Sequence, residues 1–81
     1  MRRGGPPVHK GYQGSCIQGE RGEVWFGHVT NVRKAMISFR FPDMADYARA
    51  LRIAVEHYLA DCRLAGISPE KPIPAKRRRE R

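Results

Sequence analysis

The sequence is short of the materials that staple, metallate or anchor a chain. It holds two cysteines, Cys16 and Cys62, with no CxxC spacing and no histidine pair nearby, so neither a disulfide framework nor a zinc site is expected and reduced thiols are the simplest reading. No apolar run approaches the length of a membrane span or a signal-peptide core, and the opening Arg2-Arg3-Gly4-Gly5-Pro6-Pro7 is polar or turn-forming. The expectation is a cytoplasmic protein without membrane contact. Acidic groups are scarce, eight carboxylates against sixteen lysines and arginines, and none of the eight pairs on an expected strand as a two-metal clamp would require. The histidines offer no acid–base couple either, since His28 falls in an expected strand and His57 in an expected helix, each without an orienting partner. The reading is of a non-enzymatic protein with no catalytic residue, no metal and no cofactor.

What is present in excess is positive charge, and its placement matters more than its total of +8. Residues 1–11 hold Arg2, Arg3 and Lys10 with no acid, a net +3. Residues 71–81 hold Lys71, Lys76, Arg77, Arg78, Arg79 and Arg81 against Glu80, a net +5. Between them, residues 12–70 carry seven basic and seven acidic side chains and are neutral. Sequence-blind attraction to nucleic acid therefore belongs to the ends, chiefly Lys76, Arg77, Arg78, Arg79 and Arg81, and no aromatic residue is interleaved there to stack on bases.

The 81 residues make one domain. Residues 1–10 read as a flexible lead, rich in glycine and proline, and 71–81 as a basic, solvated tail, leaving about 55 residues to build a core. So small a core makes association with a second copy or another partner the default expectation.

Within 11–70, Tyr12 to Gln18 is compatible with a strand, and Gly19-Glu20-Arg21-Gly22 supplies a hairpin loop. Val24 to Thr30 is the strongest strand signal, dense in aromatic and β-branched residues. A turn around Asn31 to Lys34 leads to a shorter strand, Met36 to Arg40. Pro42 stops it, and Asp43 is placed to cap a helix whose apolar stripe runs through Tyr47, Ala48, Leu51, Ala54, Val55, Tyr58, Leu59 and Cys62 at spacings of three and four. Gly66 is a natural end, with Pro69 barring extension.

This order gives an α+β fold, a three-stranded antiparallel meander (β-β-β-α) with one long helix on one face. Alternation in the second strand sends Val24 and Phe26 one way and Trp25 and Val29 the other. Both faces carry apolar residues and one helix covers one of them. The other is expected to meet a partner, with Trp25, Phe26, Val29 and Tyr12 as candidate contact residues.

Five segments, in order, resemble the N-terminal domain of HicB-like antitoxins: Gly11-Tyr12-Gln13-Gly14-Ser15, Trp25-Phe26-Gly27-His28-Val29, Ile37-Ser38-Phe39, Ala54 to Cys62, and Gly66-Ile67-Ser68-Pro69-Glu70-Lys71-Pro72. The resemblance covers about residues 10–73. It implies a partial ribonuclease-H-like fold without ribonuclease activity, which neutralises a HicA-type mRNA-cleaving toxin by binding it. Longer family members continue into an operator-binding domain, where this chain has Lys76 to Arg81. The family's acidic first loop is here the mixed Gln18-Gly19-Glu20-Arg21-Gly22-Glu23, so electrostatic attraction to a basic toxin is expected to be weak. The competing expectation is a small sheet-based module that binds DNA or other nucleic acid, helped by its basic tails.

Overall fold

The computed structural model describes residues 7–74. Four antiparallel strands form one sheet in sequence order: β1 (Val8–His9), β2 (Tyr12–Gln18), β3 (Trp25–Val29) and β4 (Ser38–Phe41). A single turn of 3-10 helix, Met44–Asp46, leads into α1 (Tyr47–Ala65), which lies across one face. The result is two layers thick, 18 Å in its shortest dimension. Among the described residues no helix is long and apolar enough to cross a membrane.

The meander with its helix agrees with the sequence-based expectation, but the sheet has four strands rather than three. The extra strand lies inside the expected flexible lead. Val8 and His9 pair with Gln13 and Tyr12 across a two-residue loop, Lys10-Gly11, in which both φ angles are positive, 52° and 87°. Those are the signs of a type I′ hairpin turn, which matches strand twist. Lysine is a poor residue for the first position of such a turn, which is why no hairpin signal is visible there from the residues alone. The cost is offset by Glu56 on α1, whose carboxylate meets His9 Nε2 at 2.6 Å and Lys10 Nζ at 2.9 Å and so fastens the hairpin to the helix.

The strand expected at Met36 to Arg40 begins two residues later and runs to Phe41. Met36 itself is exposed, while Ile37 O accepts from Val29 N–H at 2.9 Å and starts the ladder. At the helix entrance the Asp43 carboxylate accepts from Ala45 N–H at 3.1 Å, capping the 3-10 turn rather than α1 directly. Gly66 ends α1 with φ 74°, and its N–H and that of Ile67 return to the carbonyls of Arg63 and Cys62.

The core lies between α1 and the sheet. Leu51 and Val55 have 0% of their surface exposed, and each contributes about 1.5–3 kcal/mol by leaving water. Around them sit Tyr12, Val29 and Ile37, with Phe39, Tyr58 and Leu59 partly buried at the margin. Toward the start of α1, Trp25, Phe41 and Tyr47 form a run of nearly parallel rings, with centroids 6.4 and 5.1 Å apart. Gly27 sits under this layer because Phe39 lies across it: a Cβ on Gly27 would fall 2.5 Å from Phe39 Cε2.

The segment after α1 is packed, so the ordered unit passes the expected boundary at residue 70. Glu70 bridges back to the β3–β4 connection. Its carboxylate accepts from the backbone N–H groups of Arg33, Lys34 and Ala35, its N–H donates to Tyr58 Oη at 2.7 Å, and its carbonyl accepts from Tyr12 Oη at 2.6 Å. Asn31 then holds Ile73 from both sides, donating Nδ2 to Ile73 O at 3.0 Å and accepting from Ile73 N–H at its own carbonyl at 2.8 Å.

Candidate partner-binding surface

The face of the sheet away from α1 is the one broad surface that no described element covers. Register fixes what stands on it. Ile17 pairs with Phe26, Phe26 with Arg40, Ser15 with His28, and His28 with Ser38. Directly paired residues share a face, so these six form one continuous patch. In the row nearest the β2–β3 hairpin Ile17 is 70% and Phe26 47% exposed, two large apolar side chains in cross-strand contact positions, with Arg40 beside Phe26 and the polar row Ser15, His28 and Ser38 next to them. An exposed apolar pair bordered by polar groups suits a small protein-contact surface better than a second core. A shallow hollow of about 360 Å³ borders it, lined by Phe26, Gly27, Ser38, Phe39 and Arg40.

The four expected contact residues separate. Phe26 is on the open face. Tyr12 and Val29 are not: they are 3% and 5% exposed, beneath α1, because they share strand parity with Gly14 and Gly27, the residues that face the helix. These two are therefore withdrawn from the contact surface and belong to the core. Trp25 has the same parity and stays on the covered side, half-buried and stacked on Phe41. The sequence pattern established that Trp25 and Phe26 must part; the position of the helix decides that Phe26 is the one left outside.

Ile17, Ser38 and Arg40 were missed as members of this surface. The signal for Ile17 was available, since Tyr12, Gly14 and Cys16 alternate with it and only the pairing with Phe26 was lacking. The basic run Lys76, Arg77, Arg78, Arg79 and Arg81 lies outside the described residues.

Two carboxylates are held below their ordinary range, and both serve to hold the fold. The Glu56 carboxyl is held down to about 2, first by the His9 hydrogen bond and then by that of Lys10. That of Glu70 is lowered by the three N–H groups it accepts from, Arg33 first. A cleft of about 580 Å³ lies beside Glu70, with Arg33, Lys34, Tyr58, Cys62 and Ile67 among its walls. Its most directed polar groups, the three N–H groups, are already taken by Glu70. His28 stands on the open face and His57 on α1, on opposite sides of the sheet. Among the described residues no group of three His, Cys, Asp or Glu side chains is close enough to hold a metal ion. In comparisons with protein-family models, curated proteins and solved structures, nothing matches this chain.

Proposed function

We propose that the chain is an antitoxin-like binding protein that masks a small mRNA-cleaving toxin of the HicA type through the open face of its sheet, acting in the cytoplasm by binding and not by catalysis. The observation that carries the reading is the cross-strand pair Ile17–Phe26, exposed at the hairpin end of the open face beside a row of polar residues. The order of the five HicB-like segments supports it, and a partial ribonuclease-H-like architecture belongs to the same reading. Because the exposed face carries Arg40 and no carboxylate, contact with a basic toxin rests on apolar burial and hydrogen bonds, and binding should tolerate salt.

The test is co-expression with a short neighbouring reading frame that arrests growth when expressed alone. This chain should restore growth, and Phe26→Ala or Ile17→Ser should abolish the rescue with the protein still folded by circular dichroism. Full rescue by both variants would remove the open face from the function, and the lack of any such toxin would remove the function itself.

A second reading rests on Arg40 standing directly opposite Phe26 on the same face: a sheet that lies against nucleic acid, assisted by the basic residues at the ends. It requires affinity that falls steeply with salt and weakens in Arg40→Ala, whereas the toxin-binding reading requires neither.

A further inference from the structure

The outer edge of β4 is an unfinished ladder. In antiparallel pairing the backbone groups of alternate residues point to the same side. Val29 N–H donates to Ile37 O, so Ile37, Phe39 and Phe41 turn their backbone groups toward β3, and Ser38 and Arg40 turn theirs outward. No described strand lies beyond β4. The edge lacks the features that blunt such sites: its register with β3 runs without a bulge, the strand carries no proline and it directs no charge toward the core side. Grooves border it on both faces. One is the hollow beside Phe26, and the other, of about 260 Å³, runs between β4 and α1, where Ile53 is half-exposed beside Phe39 and Ala54.

We infer that β4 pairs antiparallel with β4 of a second copy, joining two four-stranded sheets into one of eight. The occupant follows from self-complementarity. Three two-fold registers bring outward residues together. Pairing Arg40 with Arg40 sets like charges face to face and puts Ser38 against Pro42, which has no N–H to give. Pairing Ser38 with Ser38 sets Arg40 against Met36, outside the strand. Pairing Ser38 with Arg40 of the second copy uses all four outward groups of each chain, keeps the two arginines apart and centres the axis on Phe39. The Phe39 rings lie inward across Gly27, so the apolar contact beside the axis on the helix side comes from the Ile53 that each groove offers. Pro42 ends the ladder just beyond the last pair.

The other open stretch, the outer side of β2 past Gly14, is already capped at one end, where Gly14 N–H donates to Pro7 O at 3.2 Å, and its helix-side groove, of about 310 Å³, carries two arginines, Arg49 and Arg52, beside Val8, His9 and Ala48. The edge pairing is independent of the toxin-binding reading, because it leaves Ile17 and Phe26 uncovered.

Sedimentation velocity of the full chain over a range of concentrations tests the inference through residue 38. Ser38→Glu places a carboxylate opposite Arg40 of the second copy, and Ser38→Arg places a like charge there. The two-fold axis doubles each change, so the dimer dissociation constant should fall about tenfold in the first and rise about tenfold in the second. Arg40→Pro removes one outward donor without touching the ladder to β3 and should be monomeric with an unchanged circular dichroism spectrum. Should that variant fail to fold, the two Ser38 variants still decide. Ile17→Ser should leave the dissociation constant unchanged. A chain that is monomeric throughout, or a dimer that responds to Glu and Arg at residue 38 equally or not at all, would overturn the pairing; the latter would point to the β2 edge.

Discussion

The two faces of one sheet have been put to opposite uses, although the same strands supply both. The covered face is a packed layer of Tyr12, Val29, Ile37 and the Phe39–Phe41 rings closed by Leu51 and Val55. The open face spaces two large apolar residues among serine, histidine and arginine. In the first, each side chain is held by many others, so its removal is felt as lost stability. In the second, Phe26 keeps nearly half its surface in water, so its removal should be felt less by the fold than by whatever binds there. The difference lies in the number of contacts per side chain and not in the residue types.

The comparison breaks most visibly at Leu51. Leu51→Ala should destabilise the fold by about 2–5 kcal/mol, read from urea unfolding, since the site is fully enclosed and cannot collapse onto water. A loss below 1 kcal/mol, about the value for an exposed position, would mean that the covered face is not the core. Gly27→Ala should cost less, about 1–3 kcal/mol, because Phe39 must leave its place to admit one methyl group. If Gly27→Ala were neutral, the close approach of Phe39 would be wrong, and the ring would be free to move.

Smaller effects come from the anchors at the sheet's margins. Glu70 and Glu56 both have folded pKa values below their ordinary 4.5, Glu56 at about 2. The unfolded chain therefore binds protons more readily, and the stability these carboxylates contribute is complete above 4.5 and lost as pH falls through the folded values. Thermal midpoints should decline as the solution is acidified from about pH 5 to about pH 2. Glu70→Gln should flatten that decline, and its failure to do so would show that the three N–H contacts contribute nothing to pH dependence. At the small end, Phe26→Ala should change unfolding free energy by about 1 kcal/mol, a result that sharpens the contrast with Leu51. A large loss there would show the open face to be structural.

Much of this arrangement was legible in the residues. The stripe from Tyr47 to Cys62, the Gly66 stop and the two-residue alternation in Trp25-Phe26 arise from local periodicity, and the chain obeys them. Ala48 is the exception, exposed where the stripe placed it inward. The β1 hairpin was not legible, because its turn is held open to positive φ by Glu56, 46 residues beyond Lys10. Glu70 was equally silent: a lone glutamate after a proline has no local mark of an anchor, and its three donors lie in a connection 35 to 37 residues earlier.

By itself the sequence determined which residues must part company, since side-chain alternation in a strand and the 3.6-residue turn of a helix are properties of the backbone alone. It determined the order of the three longer strands and the helix, and that one helix would leave a face of the sheet uncovered. Only the tertiary structure decided which face that is, withdrawing Tyr12 and Val29 to the core and leaving Ile17 and Phe26 in water. Periodicity divides the residues into two sets with equal claims to burial, and only the path of α1 over the sheet chooses between them.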